Sequence, residues 1–316
     1  MDGDSAKNTF GAAVRSKAQA AQEVKDEDKL YRYKGVLYPR VPCPEENLKA
    51  LESVEAREDD ILLVAYPKCG CTQMLHMPHT PHITLPQIQT INTTDPPHTH
   101  THTHTHTHTH THTHTHTQVL DRAPSPRLLG THLHPDNIPA SFYTKKTKML
   151  VIFRNPKDTL VSFYHFSNNS LVLQSGLSWD TFFSQFLMGD VPWGSYFDHA
   201  LAWEKRIDDA SVMIVTYEEL KQDLSEGVRQ ISSFLGFSLT DAQIQKISED
   251  STFKAMKESS AHSHGTLGSI FFRKGEVGDW RNHFTAEQSQ EMDRAFSKQL
   301  AGTRLGARLH YQQHCQ

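Results

Sequence analysis

The chain has 316 residues, 37% apolar and 22% charged, with 32 Lys+Arg against 36 Asp+Glu and a net charge of −4. This weakly acidic balance excludes a general pull toward nucleic acid or an anionic membrane, and there is no apolar run of about 18 residues to cross a bilayer. The N-terminal stretch lacks the apolar centre of a signal peptide, and four scattered cysteines (Cys43, Cys69, Cys71, Cys315) cannot build a disulfide framework, so a soluble, reduced, cytoplasmic protein is expected. Residues 1–28 are polar with no clean apolar face and read as a mobile tail ahead of one domain over 29–311. The charged segment Glu45 to Asp60 has helical potential. Ile61-Leu62-Leu63-Val64-Ala65 is a continuous apolar run entering the loop Tyr66-Pro67-Lys68-Cys69-Gly70, the pattern of a buried parallel strand. Met149 to Phe153, ending in Arg154-Asn155-Pro156, repeats it, as does Val212 to Val215, ending in Thr216-Tyr217-Glu218-Glu219. Helical patterns follow at Lys157–His165, Gly227–Leu235 and Asp241–Ile247. Strands alternating with helices predict an α/β fold, three-layered around a central parallel sheet, with ligands at the carboxyl ends of the strands.

Residues 78–117 break this pattern. They show no helical or strand periodicity, and ten histidines alternate with threonine from His98 to Thr117. Such low complexity builds no core, so the stretch reads as a disordered insertion in the domain. A metal-binding loop is the other reading, since imidazole is a common Zn, Cu or Ni ligand. A CA dinucleotide repeat translated in one frame also yields Thr-His.

Three clusters have anion-binding chemistry. The turn Tyr66 to Thr72 after the first strand offers backbone N–H groups around Gly70, the Lys68 ammonium and the Thr72 hydroxyl, in a spacing that is not Walker A. At the second strand end, Arg154 stands beside a helix start favoured by Pro156, with Ser162 near the face shared by Asp158 and Phe166. The alternative there is a surface Arg154–Asp158 ion pair. The third, Phe271-Phe272-Arg273-Lys274-Gly275-Glu276-Val277-Gly278-Asp279-Trp280, places adjacent basic residues between aromatics and glycines; a basic surface loop is the alternative.

Taken in order, these clusters resemble the cytosolic sulfotransferase family, whose loop reads Tyr-Pro-Lys-Ser-Gly-Thr-Thr-Trp where Tyr66 to Gln73 stand here. Its Arg-Asn-x-Lys-Asp and Val-Ser-Tyr-Tyr-His-Phe segments are similar to Arg154–Asp158 and Val161–Phe166. Its Tyr-Glu-Glu, Thr-Ser-Phe-Lys-x-Met and Arg-Lys-Gly-x-x-Gly-Asp-Trp segments are similar to Tyr217–Glu219, Ser251–Met256 and Arg273–Trp280. The resemblance covers roughly residues 30–77 and 118–311. Cysteine after the loop lysine is most like the 6B branch.

The resemblance implies a P-loop-NTPase-like sulfotransferase fold and transfer of a sulfuryl group from PAPS (3'-phosphoadenylyl sulfate) to a hydroxyl or amine, with PAP as product and no metal. It places Lys68, Cys69, Gly70, Cys71 and Thr72 on the 5'-phosphosulfate, with Lys68 neutralising the leaving group, and Gln73 at the adenine. It places Arg154, Ser162, Arg273, Lys274 and Gly275, after Phe271 and Phe272, at the 3'-phosphate. Tyr217 and the segment Ser251, Thr252, Phe253, Lys254, Ala255, Met256 would meet the adenine. The base of the family's Lys-Thr-His-Leu-Pro segment falls on His132. A neutral histidine suits removal of a hydroxyl proton at cytosolic pH.

Departures carry expectations too. Gln73 stands where the family has an adenine-stacking tryptophan, Cys71 where it has threonine, and Gly130 where it has a lysine two before the base. Pro78 and Pro81 interrupt the helix after the loop, which predicts impaired folding or turnover, with PAP binding without catalysis as one outcome. Arg281, Thr285, Ala286 and Gln290 fill the family's dimer motif only partly, so a monomer or weak homodimer is expected. The acceptor class stays open among phenols, steroids, amines and iodothyronines.

Overall fold

The computed structural model describes residue 17 and residues 19–70, 88–90, 120, 123–263 and 268–316. Two strands, β1 (Leu30–Tyr33) and β2 (Val36–Pro39), form an antiparallel hairpin. Its two turn residues, Lys34 (φ 49°) and Gly35 (φ 83°), are both left-handed, the geometry that matches strand twist across a two-residue loop.

The core is a five-stranded sheet of β3 (Ile61–Ala65), β4 (Ile88–Thr90), β5 (Leu128–Thr131), β6 (Lys148–Phe153) and β7 (Val212–Thr216). Its order is β4-β5-β3-β6-β7, and every adjacent pair is parallel. All five residues of β3 are buried, as are the last five of β6. A strand with helices over both faces has no solvent side, which is why these segments are continuously apolar. The three strands expected from apolar runs are all present, and the fold is α/β with flanking helices. From β3 the chain builds β4 and β5 on one side, then crosses to β6 and β7 on the other. This reversal opens a crevice at the carboxyl ends of β3, β5 and β6.

Five helices bear on that crevice: α1 (Pro156–Asn169), α2 (Tyr217–Gln222), α3 (Phe253–Ser263), α4 (Ala286–Gln299) and α5 (Tyr311–Cys315). α1 starts where Asn155 Oδ1 accepts the Asp158 N–H at 2.8 Å and Pro156 opens the first turn. α2 and α4 start with reciprocal caps, Thr216 with Glu219 and Thr285 with Gln288.

Three differences from expectation have local causes. The Glu45–Asp60 segment is helical only over Glu45–Ala50, with a single 3-10 turn at Leu51–Ser53. Beyond it, Asp60 captures the Arg57 N–H at 2.7 Å and forms a fully buried ion pair with Arg127, so side-chain bonding displaces helix. β4 lies inside the stretch 78–117 that shows no periodicity; three residues are too few to display one. The end of the expected tail is held in place: Ala21 is fully buried, and Asp26 accepts the Ser175 N–H at 3.1 Å. The rest of the tail, the Thr-His tract, Pro78 and Pro81 lie outside the described residues. No helix among the described residues is long and apolar enough to cross a membrane.

Candidate active site

Four of the five parallel strands deliver a polar side chain just past their carboxyl ends: His132 after β5, Arg154 after β6, Tyr217 after β7, and Lys68 three residues beyond β3. Strand register therefore sets their spacing.

Lys68 sits in a left-handed turn at φ 70°, a costly conformation for a long side chain. Its ammonium lies 4.3 Å from the Phe166 ring centroid and 5.9 Å from that of Phe271, and no carboxylate pairs with it among the described residues. Burial, with Arg154 and Arg273 nearby, pulls this ammonium down to about 7. A cation so destabilised in the free protein gains from any anion that enters.

Arg154 is 8% exposed. Its Nη2 donates to the Glu276 carbonyl at 2.8 Å, its guanidinium lies 4.5 Å over the Tyr217 ring, and Asp158 Oδ2 is 3.9 Å away. The pair with Asp158 is thus buried rather than a surface bridge. The Arg154 Nε–H is buried with no partner among the described residues.

The Arg273 loop is tied to α1 at successive turns. Asp158 accepts the Gly278 N–H at 2.7 Å on one carboxylate oxygen and the Trp280 N–H at 3.0 Å on the other. One turn on is half-buried Ser162, and beyond it His165 Nε2 lies 2.8 Å from His283 Nε2, the two sharing one hydrogen bond. Burial and the neighbouring Arg273 pull His165 down to about 4, so its own ring is neutral at cellular pH. Within the loop, Asp279 holds both Arg273 and Lys274, the latter at 2.6 Å. Burial opposes ionisation of Asp279, but Lys274, Asn282 and Arg273 hold its carboxyl far below the usual range.

His132 Nδ1 lies 2.7 Å from the Ala65 carbonyl oxygen. A carbonyl only accepts, so Nδ1 carries the proton and Nε2 presents a lone pair. Burial lowers the His132 pKa below 6.5, the Ala65 bond opposing and the Lys68 charge assisting. The Trp193 ring stands edge-on at 5.2 Å between centroids. Trp193 has φ 66°, an outlier for a bulky residue, and its indole N–H is buried without a partner among the described residues.

The Sulfotransferase domain family matches residues 58–304. The chain is 53% identical to sulfotransferase 6B1 of Danio rerio, over 96% of this chain and 99% of that one. It is 46% identical to human sulfotransferase 6B1 over 91% of each. Its fold matches the crystal structure of mouse sulfotransferase SULT7A1 complexed with PAP at a TM-score of 0.76 and 33% identity, covering 89% of this chain and 98% of that one. The chain belongs to the sulfotransferase family. It is a PAPS-dependent sulfotransferase, and the 6B resemblance holds.

The residues of this sulfotransferase suit PAPS. Arg154 and Arg273 both lie within electrostatic reach of Lys68, and the buried Arg154 Nε–H has no acceptor among the described residues. The flanking glycines leave room for backbone approach. A Cβ at Gly70 (φ 108°) would stand 3.1 Å from Tyr217 Cδ2, and one at Gly275 (φ 70°) would stand 2.3 Å from Phe253 ring carbons. Gly275→Ala is therefore expected to cost about 1–3 kcal/mol and to weaken PAP binding by displacing Phe253. Denaturant melts and titration calorimetry check this, and wild-type values for both would contradict it.

Not every expected contact residue reaches the crevice. The Cys69 N–H closes a turn on the Tyr66 carbonyl at 3.1 Å, and its thiol points inward to Thr159 Oγ1 at 3.6 Å. Burial raises that thiol to about 12. Cys69 is thus a core residue, because its apolar side chain faces the β3–α1 interface. In the Ser251–Met256 segment, Ser251 and Met256 are buried, while Thr252 and Lys254 face solvent. Phe253 meets Gly275 and lies against Phe272 with centroids 5.9 Å apart. Lys274 is exposed apart from its bond to Asp279. Cys71, Thr72 and Gln73 lie outside the described residues.

Sequence reasoning missed the organising roles of Asp158 and Asp279, although both stand in the quoted motifs. It also missed Trp193, signalled only by its place between Pro192 and Gly194. Among the described residues no group of three or more His, Cys, Asp or Glu side chains is arranged to hold a metal; the Thr-His tract lies outside them.

Proposed function

We propose that this sulfotransferase acts on a small hydroxyl-bearing acceptor, a phenol in the first instance, with His132 as the base and Lys68 at the leaving-group side. The observation that carries this is the His132–Ala65 bond of 2.7 Å, which commits Nδ1 to the carbonyl and leaves Nε2 the basic nitrogen, on a ring close enough to Lys68 to feel its charge. PAPS supplies an activated sulfuryl group. Arg154, Ser162, Arg273 and the Gly275 backbone hold its 3'-phosphate end, and Lys68 with Gly70 its 5' end. Tyr217 and Phe253 flank the adenine. His132 Nε2 takes the acceptor proton while the Ala65 carbonyl, anchored in β3, keeps the ring in one orientation. Lys68 presents positive charge where negative charge grows, an interaction that strengthens toward the transition state. The partly exposed Trp193 ring beside His132, backed by the buried Phe163 ring at 6.4 Å between centroids, is an apolar surface suited to a flat acceptor.

The protein works in the cytoplasm as a monomer or weak homodimer. In support, Arg281, the basic position of the partial dimer motif, donates to the Gln316 main-chain oxygen of its own chain. The test is incubation with radiolabelled PAPS and a panel of phenols, steroids, amines and iodothyronines. Label transfer to phenols supports the reading; PAP binding without transfer to any acceptor would sink it.

A bell-shaped pH profile of kcat/KM is expected. His132 must be neutral and its pKa lies below 6.5, so activity falls only on the acid side of the ordinary histidine range. Lys68 must be charged and sits near 7 in the free protein, so kcat/KM falls again as pH rises through that value. Because the bound anion restores the ammonium, kcat should hold to higher pH than kcat/KM. Coincident alkaline limbs for the two parameters would contradict this.

A further inference from the structure

Three consecutive main-chain oxygens, of residues 314, 315 and 316, accept hydrogen bonds from side chains of α1 and of the loop after Gly278. Trp280 Nε1–H donates to the His314 oxygen at 2.8 Å, Lys157 Nζ to the Cys315 oxygen at 2.7 Å, and the Arg281 guanidinium to the Gln316 oxygen. The Cys315 thiol adds a contact to Asn155 Oδ1 at 3.4 Å. Each of these groups adjoins a residue that shapes the crevice. Asn155 and Lys157 lie between Arg154 and Asp158 at the start of α1, and Trp280 and Arg281 continue the loop from Gly278 and Asp279.

Lys157 makes this contact demanding. It is fully buried, 4.2 Å from the Trp280 ring centroid, and its three ammonium donors are satisfied by Cys315 O, Ser289 Oγ at 2.7 Å and Asp293 at 2.7 Å. A desolvated ammonium that loses one acceptor must move or rehydrate. Either movement shifts Trp280, whose own N–H is held by the Asp158 carboxylate that also fixes Gly278.

We propose that segment 314–316 is a positioning strap for the cosubstrate site: it clamps the first turn of α1 against the Arg273–Arg281 loop, so that its order and PAP occupancy are coupled. The inference rests on the reading of Arg154 and Arg273 as the 3'-phosphate site. Coupling is reciprocal, which allows a test without mutation. The intact chain is exposed to a carboxypeptidase under native conditions, with and without saturating PAP. PAP should slow release of residues 316 and 315 by at least about fivefold, the lower end of typical coupling. In parallel, a chain lacking residues 314–316 should bind PAP at least about fivefold more weakly in calorimetry well below its melting temperature. A cooperatively melting truncated chain with the intact chain's Kd would overturn the proposal, as would a release rate indifferent to PAP. If truncation prevents folding, the release assay on the intact chain and the PAP affinity of Arg281→Met, which cuts the exposed link and keeps an unbranched stem beside the Trp280 ring, decide in the same way. An intact chain that does not bind PAP at all would instead overturn the site reading beneath it.

Discussion

His132→Ala should lower kcat/KM for a phenolic acceptor by about 10²–10⁴-fold and leave PAP affinity unchanged. The size follows from removing a positioned base, and the selectivity from geometry. His132 is neutral in the free protein, so its loss removes no charge from the cosubstrate end. Its only hydrogen bond among the described residues is to Ala65, so truncation leaves one strand-end carbonyl to be solvated and no buried charge unpaired. Steady-state kinetics with titration calorimetry of PAP separates the two effects. Activity within tenfold of wild type would remove His132 from the mechanism.

Lys68→Met should lower kcat by about 10²–10³-fold, the effect of removing one donor that meets charge developing in the transition state. Methionine keeps the unbranched stem and contact with Phe166, and its cost at φ 70° matches that of lysine, so the comparison isolates the ammonium. The alkaline fall of kcat/KM near pH 7 should vanish in the same variant, since Lys68 is the group that titrates there. A variant that loses rate but retains the alkaline limb would assign that limb elsewhere.

The sheet was legible because burial on both faces leaves a mark: Ile61–Ala65 and Met149–Phe153 cannot be polar anywhere. β5 was not, being four residues long with Gly130 inside it, and β4 is shorter still. Arg154 was a candidate anion site from residue type and strand position, with a surface ion pair as the alternative, and the Arg273 loop was equally a basic surface loop until the resemblance joined the clusters. His132 did not; only the flanking resemblance raised it, because nothing in Gly-Thr-His-Leu announces that its Nδ1 will meet a carbonyl of β3. Cys69 shows the reverse failure. A place in a phosphate-loop motif suggested contact with the anion, but a small apolar side chain between Lys68 and Gly70 turns into the core. Asp158 and Asp279 were visible as charges near other charges. Asp158 accepts the Gly278 and Trp280 N–H groups, about 120 residues distant in sequence, which only the fold can bring to it, while Asp279 gathers Arg273 and Lys274 of its own loop.

The claim on which all of this depends is that Lys68, Arg154 and Arg273 converge on one cosubstrate site in the folded chain. The most direct measurement is a thermal melt of the full chain with and without PAP. A ligand that binds only the folded state adds about 2.7 kcal/mol of stability at a hundredfold excess over Kd. A single cooperative transition that moves upward with PAP, and an Arg154→Ala variant that loses most of that shift, is the predicted result. A chain that melts cooperatively at the same temperature whatever the PAP concentration would show that these three cations do not form the site.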